Sequence, residues 1–101
     1  MAITLTNVSK KPAGTSFYGD VSSDNKTKAT AHDVWTSQQT GFVSQSYDNP
    51  DENTRIYTII FDTVENYATW HSTRLARPLA IERTAYNAAT GIKITSTETI
   101  S

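Results

Sequence analysis

The segment RIYTIIF at residues 55–61 is the feature that most constrains the fold. β-Branched or aromatic side chains occupy nearly every position, which predicts a β-strand. Because large apolar residues fall on both faces of this strand, both faces are expected to meet apolar neighbours. Helices can cover one face of such a sheet, and the other needs a second cover, for example the sheet of another copy. Tyr57 and Ile59 are the outward positions that this interpretation assigns to the interface.

Three other segments also have strand patterns. In residues 3–8, Ile3 and Leu5 alternate with threonines, which is typical of a half-buried strand. Residues 42–47, FVSQSY, and residues 92–100, IKITSTETI, predict two more, the latter burying Ile92 and Ile94, and the polar residues 48–53 predict a hairpin loop. Residues 16–21, SFYGDV, alternate as well, after a turn at residues 12–15. They predict an extra N-terminal strand, or a continuation of the first strand beyond a break.

A first helix is predicted from about residue 26 or 30 to about Thr40, with cap chemistry in residues 22–25 and Gly41 as its stop. The residues that recur at helical spacing form its predicted buried face: Ala31, Val34, Trp35 and Gln38.

A second helix follows the strongest strand, with Asp62 as its cap and Glu65 completing a capping box. Its predicted buried stripe obeys the i, i+3, i+4, i+7 rule, with Trp70 beside it: Val64, Tyr67, Ala68, His71 and Leu75. Pro78 interrupts this helix and starts a second helical piece, which ends at Gly91.

The order β-α-β-β-α-β predicts an α+β protein with a ferredoxin-like fold and an antiparallel sheet, built as one domain over residues 1–101. An extra N-terminal strand is added to this prediction. A homodimer that joins two sheets into a barrel would enlarge the modest core of a chain this short.

Charge and composition exclude several functions. The net charge of −1 with intermixed signs gives no footprint for nucleic acid and no polybasic membrane patch. The absence of cysteine excludes disulfides, thiolate metal sites and cysteine nucleophiles. The N-terminus lacks the pattern of a signal peptide, so a cytoplasmic location is expected. No HExxH, GxSxG or glycine-rich phosphate loop is present, and we predict neither a metal nor a cofactor.

The stretch from Trp35 to Gly91 resembles the dimeric α+β barrel superfamily, which includes the antibiotic-biosynthesis monooxygenases. The matching segments are TGFVSQSY, RIYTIIFDTVENYATWH and YNAATGI, and together they span a bit over half the chain. The segment PAGTSFYGDVSS departs from the pattern, because members usually pass from the first strand directly into the first helix.

The resemblance implies a cavity between the sheet and the helices, and it leaves three functions open. The first is a binding module for a small molecule or a protein partner. The second is a cofactor-independent monooxygenase of the antibiotic-biosynthesis type, acting on a flat aromatic substrate. The third is heme binding or degradation, for which Asn7 and Trp70 match the pattern. In that branch a histidine stands about ten residues beyond the tryptophan, where this chain has Ala80.

The candidate ligand-binding residues combine aromatic walls with polar anchors: Asn7, Trp35, Tyr67, Trp70, His71 and Arg74. The plain structural alternative is that Trp70 packs in the core and that His71 is a half-buried imidazole with a partner. His32 is expected to be a surface histidine. The arginines near the helix break, Arg74, Arg77 and Arg83, can bind an anionic group, form salt bridges or remain solvated, and the last two states are favoured.

Overall fold

A four-stranded antiparallel sheet with all its helices on one face forms the architecture, in a computed structural model that describes residues 1–101. The elements in chain order are β1 (Ile3–Lys10), a 3₁₀ turn (Tyr18–Asp20), α1 (Ser23–Ser37), β2 (Phe42–Asp51), β3 (Thr54–Phe61), α2 (Val64–Leu75), α3 (Pro78–Thr90) and β4 (Lys93–Ile100). The strand order is β2-β3-β1-β4. This is the predicted α+β ferredoxin-like arrangement. No helix has the length and apolar character needed to cross a bilayer.

The hydrophobic core lies between the central strands and α2. Alternate residues of β1 and β3 point toward the helices, as the period of two requires, and the core cluster is Ile3, Leu5, Ile59, Phe61, Tyr67 and Trp70. Ile59 is fully buried in this layer, and Tyr57 packs against it. The prediction that Tyr57 and Ile59 face outward is therefore wrong. The outward positions of β3 are Ile56, Thr58 and Ile60.

The predicted extra N-terminal strand is absent, because residues 16–21 form a loop with a 3₁₀ turn. Phe17 and Tyr18 are adjacent and both line the same cavity, whereas neighbouring residues of a strand point to opposite faces. Tyr18 packs edge-on against the Tyr86 ring of α3, with 5.9 Å between the ring centroids. The two aromatic residues of this segment therefore pack against α3 and the cavity and do not mark the face of a strand.

Helix α1 begins earlier than predicted and buries a different face. Ser22 is the N-cap, and its hydroxyl accepts a hydrogen bond from the backbone N–H of Asn25 at 3.1 Å. The buried residues are His32 and Thr36, whereas Val34 is 51% exposed. The prediction of the buried face was wrong because this helix has few large apolar residues, so their spacing does not mark one side.

The N-cap of helix α2 is Thr63, one residue later than predicted. Its hydroxyl oxygen accepts a hydrogen bond from the backbone N–H of Asn66 at 3.2 Å. Its buried residues are Tyr67 and Trp70, and Val64 and Leu75 are exposed, so the true stripe is rotated from the predicted one. The break before Pro78 is confirmed.

The remaining boundaries differ less. Gly91 ends α3 with a φ of 83°, as predicted. Gly41 also has the left-handed φ expected of it, but it lies beyond the end of α1. β2 extends to Asp51, and Ile94 on β4 is 48% exposed rather than buried.

Candidate functional site

A cavity of about 350 Å³ lies between the sheet and the helices, with walls from all four strands and all three helices. Aromatic rings form much of its wall, namely those of Phe17, Tyr18, Tyr47 and Tyr57. Polar and charged side chains are interspersed with them, including Asn7, His32, Asp33, Arg74, Arg83 and Asn87. Mixed walls of this type are typical of sites for small organic molecules.

Two of the six predicted site residues line this cavity, Asn7 and Arg74. Asn7 is buried on β1 and accepts a hydrogen bond from the hydroxyl of Ser96 at 2.6 Å. The structure therefore brings one predicted polar anchor and one predicted cation to the same cavity.

The four predicted aromatic site residues lie elsewhere. Trp70 is 2% exposed in the core, where its indole N–H donates to the hydroxyl of Thr36 at 3.2 Å. Tyr67 is buried beside it, and His71 lies half-buried with its ring centroid 5.5 Å from that of Tyr67. Trp35 is half-buried beneath the guanidinium of Arg77, 4.0 Å from the ring centroid. These contacts agree with the packing alternative for Trp70.

The heme pattern does not fit this arrangement. Asn7 lines the cavity, but the indole of Trp70 is enclosed in the core with its N–H bonded to Thr36. Ala80, at the position of the expected histidine, is buried within α3. The three positions of the heme pattern, Asn7, Trp70 and Ala80, therefore do not meet at one site.

His32, expected at the surface, is a buried residue of the cavity wall. Its Nδ1 is buried and has no hydrogen-bond partner, and its ring lies 5.5 Å from that of Trp35. Burial, together with the charges of Arg83, Arg74 and Arg77, lowers the pKa of His32 to about 4. The imidazole is therefore neutral at pH 7. No pattern in the sequence marked it, because its helix face is polar.

Asp33 organises the β2 side of the cavity. Both oxygens of its carboxylate accept from the hydroxyl of Tyr47, at 3.0 Å each, and its backbone carbonyl accepts from Gln45 at 3.0 Å. Gln45 in turn accepts from the hydroxyl of Tyr57 at 2.8 Å. The rings of Tyr47 and Tyr57 lie 4.9 Å apart. This network fixes two aromatic rings side by side, and burial raises the pKa of Asp33.

The segment between β1 and α1, which departs from the superfamily pattern, forms a wall of the cavity. Phe17, Tyr18, Gly19 and Asp20 contribute to the lining. The segment is fastened by a salt bridge from Arg55 to Asp20 at 3.0 Å, and Arg55 also stacks 4.5 Å from the ring centroid of Phe17. The cavity in its present form therefore depends on this segment.

The comparisons with known proteins rest on structure. No protein-family model matches the chain, and no curated protein matches it in sequence. The solved structure of SnoaB, a cofactor-independent oxygenase from Streptomyces nogalater, is 12% identical and has a TM-score of 0.65, over 99% of this chain and 92% of that chain. A candidate antibiotic biosynthesis monooxygenase from Deinococcus radiodurans is 14% identical with a TM-score of 0.64, over 100% of this chain and 92% of that chain.

A candidate monooxygenase from Shewanella loihica is 17% identical with a TM-score of 0.54, over 99% of this chain and 93% of that chain. The alignments span nearly the whole of each protein, so the likeness concerns the complete fold. At these identities it shows the fold, which is that of the antibiotic-biosynthesis-monooxygenase-like proteins. The fold part of the predicted resemblance is confirmed.

Proposed function

We propose that the protein binds a small aromatic molecule in the cavity between its sheet and its helices. The observation that carries this proposal is the cavity itself, an aromatic-walled space of about 350 Å³ into which several polar side chains converge. A plain structural module would fill this space with side chains, since protein interiors are close-packed. The ligand is expected to stack on the tyrosine wall and to pair with buried polar groups, which are costly to leave unpaired.

A cavity-filling substitution tests the proposal. Ala29 on α1 lines the cavity, and Ala31 lies on the exposed side of the same helix. Ala29→Leu is expected to weaken binding of flat aromatic ligands at least tenfold, and the matched control Ala31→Leu is expected to bind like wild type. Binding is measured by calorimetry and by two-dimensional NMR with a panel of naphthalene and anthracene derivatives. A panel without a single binder to wild type contradicts the proposal.

A second candidate function is cofactor-independent oxygenation, and the position of His32 favours it. A neutral imidazole in the cavity wall can accept a proton from an acidic C–H or O–H of a hydroxylated aromatic substrate. The resulting anion gives electrons to O₂. In the overall reaction a ring CH₂ becomes C=O, one oxygen atom enters the product, and the other leaves as water with the two hydrogens. The protein supplies the base, the enclosed site and the orientation.

The oxygenase candidate predicts that wild type accelerates O₂ uptake by an anthrone and incorporates ¹⁸O from ¹⁸O₂ into the new carbonyl. His32→Gln is expected to lower this rate at least a hundredfold, the usual contribution of a positioned general base, while the ligand still binds. If wild type binds the anthrone and leaves its background oxidation rate unchanged, the protein is a binding module.

A homodimer through the outer face of the sheet is part of the proposal. Val8 on β1 pairs with Ile56 on β3, and Thr4 pairs with Ile60, so the centre of this face carries apolar and threonine side chains. These residues are only partly exposed in one chain, and a second sheet would cover them.

A further inference from the structure

Two arginines of the cavity, Arg74 on α2 and Arg83 on α3, form no direct salt bridge, and the carboxylate of Asp33 acts on them only from beyond 4 Å. Both line the cavity, and neither forms a salt bridge or a side-chain hydrogen bond. Arg74 lies with its guanidinium 5.4 Å from the ring centroid of Trp70. The third arginine of the lining, Arg55, is by contrast paired with Asp20 at 3.0 Å and bonded to Asn49 at 3.1 Å.

The positive charges of Arg74 and Arg83 are unfavourable to each other in the protein without a ligand. Burial and the charge of Arg83 both lower the pKa of Arg74, so the charged form of Arg74 is disfavoured in this place. A guanidinium stays protonated nevertheless, because its ordinary pKa lies above 12. Both arginines are half-buried in the cavity wall without a salt-bridge partner, an arrangement that an anionic ligand would complete.

The charge balance of the lining supports the same conclusion. The cavity wall contains four cationic side chains, Lys26, Arg55, Arg74 and Arg83, and two carboxylates, Asp20 and Asp33. Asp20 is already paired with Arg55, and Asp33 accepts from Tyr47 and has no cation within 4 Å. His32 adds no charge at pH 7. The cavity is therefore positive in a chain whose net charge is −1.

We propose that the ligand of this cavity is an aromatic carboxylate whose anionic group binds between Arg74 and Arg83. The planar guanidinium fork matches the two oxygens of a carboxylate, and charge-assisted hydrogen bonds of this type are the strong ones. The tyrosine pair on the β2 side supplies a surface for the aromatic body. This inference rests on the proposed binding of a small aromatic molecule. It adds that the ligand carries a negative charge, for which the two arginines select.

The test compares 2-naphthoate with 2-naphthamide, which share ring and planar shape and differ in charge. Wild type is expected to bind 2-naphthoate at least tenfold more tightly by calorimetry at low ionic strength. Arg74→Gln and Arg83→Gln are each expected to remove most of this difference while retaining the affinity for 2-naphthamide. Lys28→Gln, on the exposed side of α1 and outside the cavity lining, makes the same change in net charge and is expected to bind like wild type.

Thermal unfolding without ligand separates a binding role from a structural one. Because Arg83 repels Arg74 and forms no salt bridge, Arg83→Gln is expected to keep or raise Tm, whereas loss of a structural ion pair would lower it. Equal binding of both ligands to wild type, with loss of both in Ala29→Leu, would overturn the carboxylate assignment and leave the aromatic site intact. If neither ligand binds wild type, both proposals are overturned. A preference for 2-naphthoate that persists in both glutamine variants would overturn the role of the arginine pair.

Discussion

At the scale of single residues, the environment of His32 differs clearly from the one that the sequence predicted. The sequence predicted a surface histidine, whereas the structure buries it beside Trp35, where the charges of Arg83, Arg74 and Arg77 also act on it. Burial and positive neighbours hold this histidine neutral, and its Nδ1 is enclosed without a hydrogen-bond partner. The same placement makes the stability of the protein depend on pH.

The native pKa of His32 is about 4, whereas its value in the unfolded chain is near 6.5. Between these pH values the unfolded state binds a proton that the native state does not, so the free energy of unfolding falls as pH is lowered from 6.5 toward 4. The slope for one such group is at most about 1.4 kcal/mol per pH unit. His32→Gln is expected to flatten this dependence, as measured by urea unfolding between pH 7 and pH 5.

The protonation of two other groups also affects the free energy of unfolding at acidic pH, so the contribution of His32 is measured as a difference between two proteins. Burial lowers the pKa of His71, which adds a dependence of the same sign, and raises the pKa of Asp33, which opposes it at the acid end. The difference between wild type and His32→Gln isolates the contribution of His32. Parallel curves for the two proteins would mean that His32 titrates normally.

At the scale of elements, the connection from β3 to α2 packs against Gly41, which lies in the loop between α1 and β2. Its φ is 84°, its carbonyl accepts from the backbone N–H of Asp62 at 2.9 Å, and a Cβ there would overlap a carboxylate oxygen of Asp62. The same Cβ would lie 2.6 Å from the side-chain nitrogen of Asn66. The loop after α1 and the start of α2 therefore approach too closely for any other residue.

Gly41→Ala is expected to be much more destabilising than Gly14→Ala, although both glycines have left-handed φ values. A Cβ on Gly14 would have no atom within 4 Å, so alanine there incurs only the backbone cost of about 1–2 kcal/mol. Alanine at Gly41 adds an overpacking cost of about 1–3 kcal/mol. Equal midpoints of urea unfolding for the two variants would show that the Asp62 and Asn66 side chains move aside freely.

At the scale of the whole molecule, the two faces of the sheet have different roles. The helix face holds the core and the cavity, and the outer face carries Val8, Ile56 and Ile60 among threonines. The sequence indicated that both faces of β3 need a cover, but it assigned Tyr57 and Ile59 to the wrong one. The position of the proposed dimer interface follows only when the register of β3 against β1 is known.

Ile60→Glu is expected to convert the proposed homodimer into a monomer, because a charge would be buried against the second sheet. Ile81→Glu makes the same change on α3, where Ile81 is 60% exposed on the helical side, and is expected to remain dimeric. Sedimentation velocity or native mass spectrometry measures the mass of each. A monomeric wild type, or a dimeric Ile60→Glu, would contradict the outer face as the interface.

The sequence by itself determined the α+β order, the four true strands, the helix break at Pro78 and the stop at Gly91, because strand alternation, proline and glycine act locally. The sequence also predicted Asn7 and Arg74 as ligand-binding residues, and both line the cavity. Only the tertiary structure decided that Trp70 and Tyr67 pack in the core, that residues 16–21 form a cavity wall, and that His32 faces inward. These outcomes depend on which face of each helix meets the sheet, and the mostly polar α1 does not encode that choice in its own spacing.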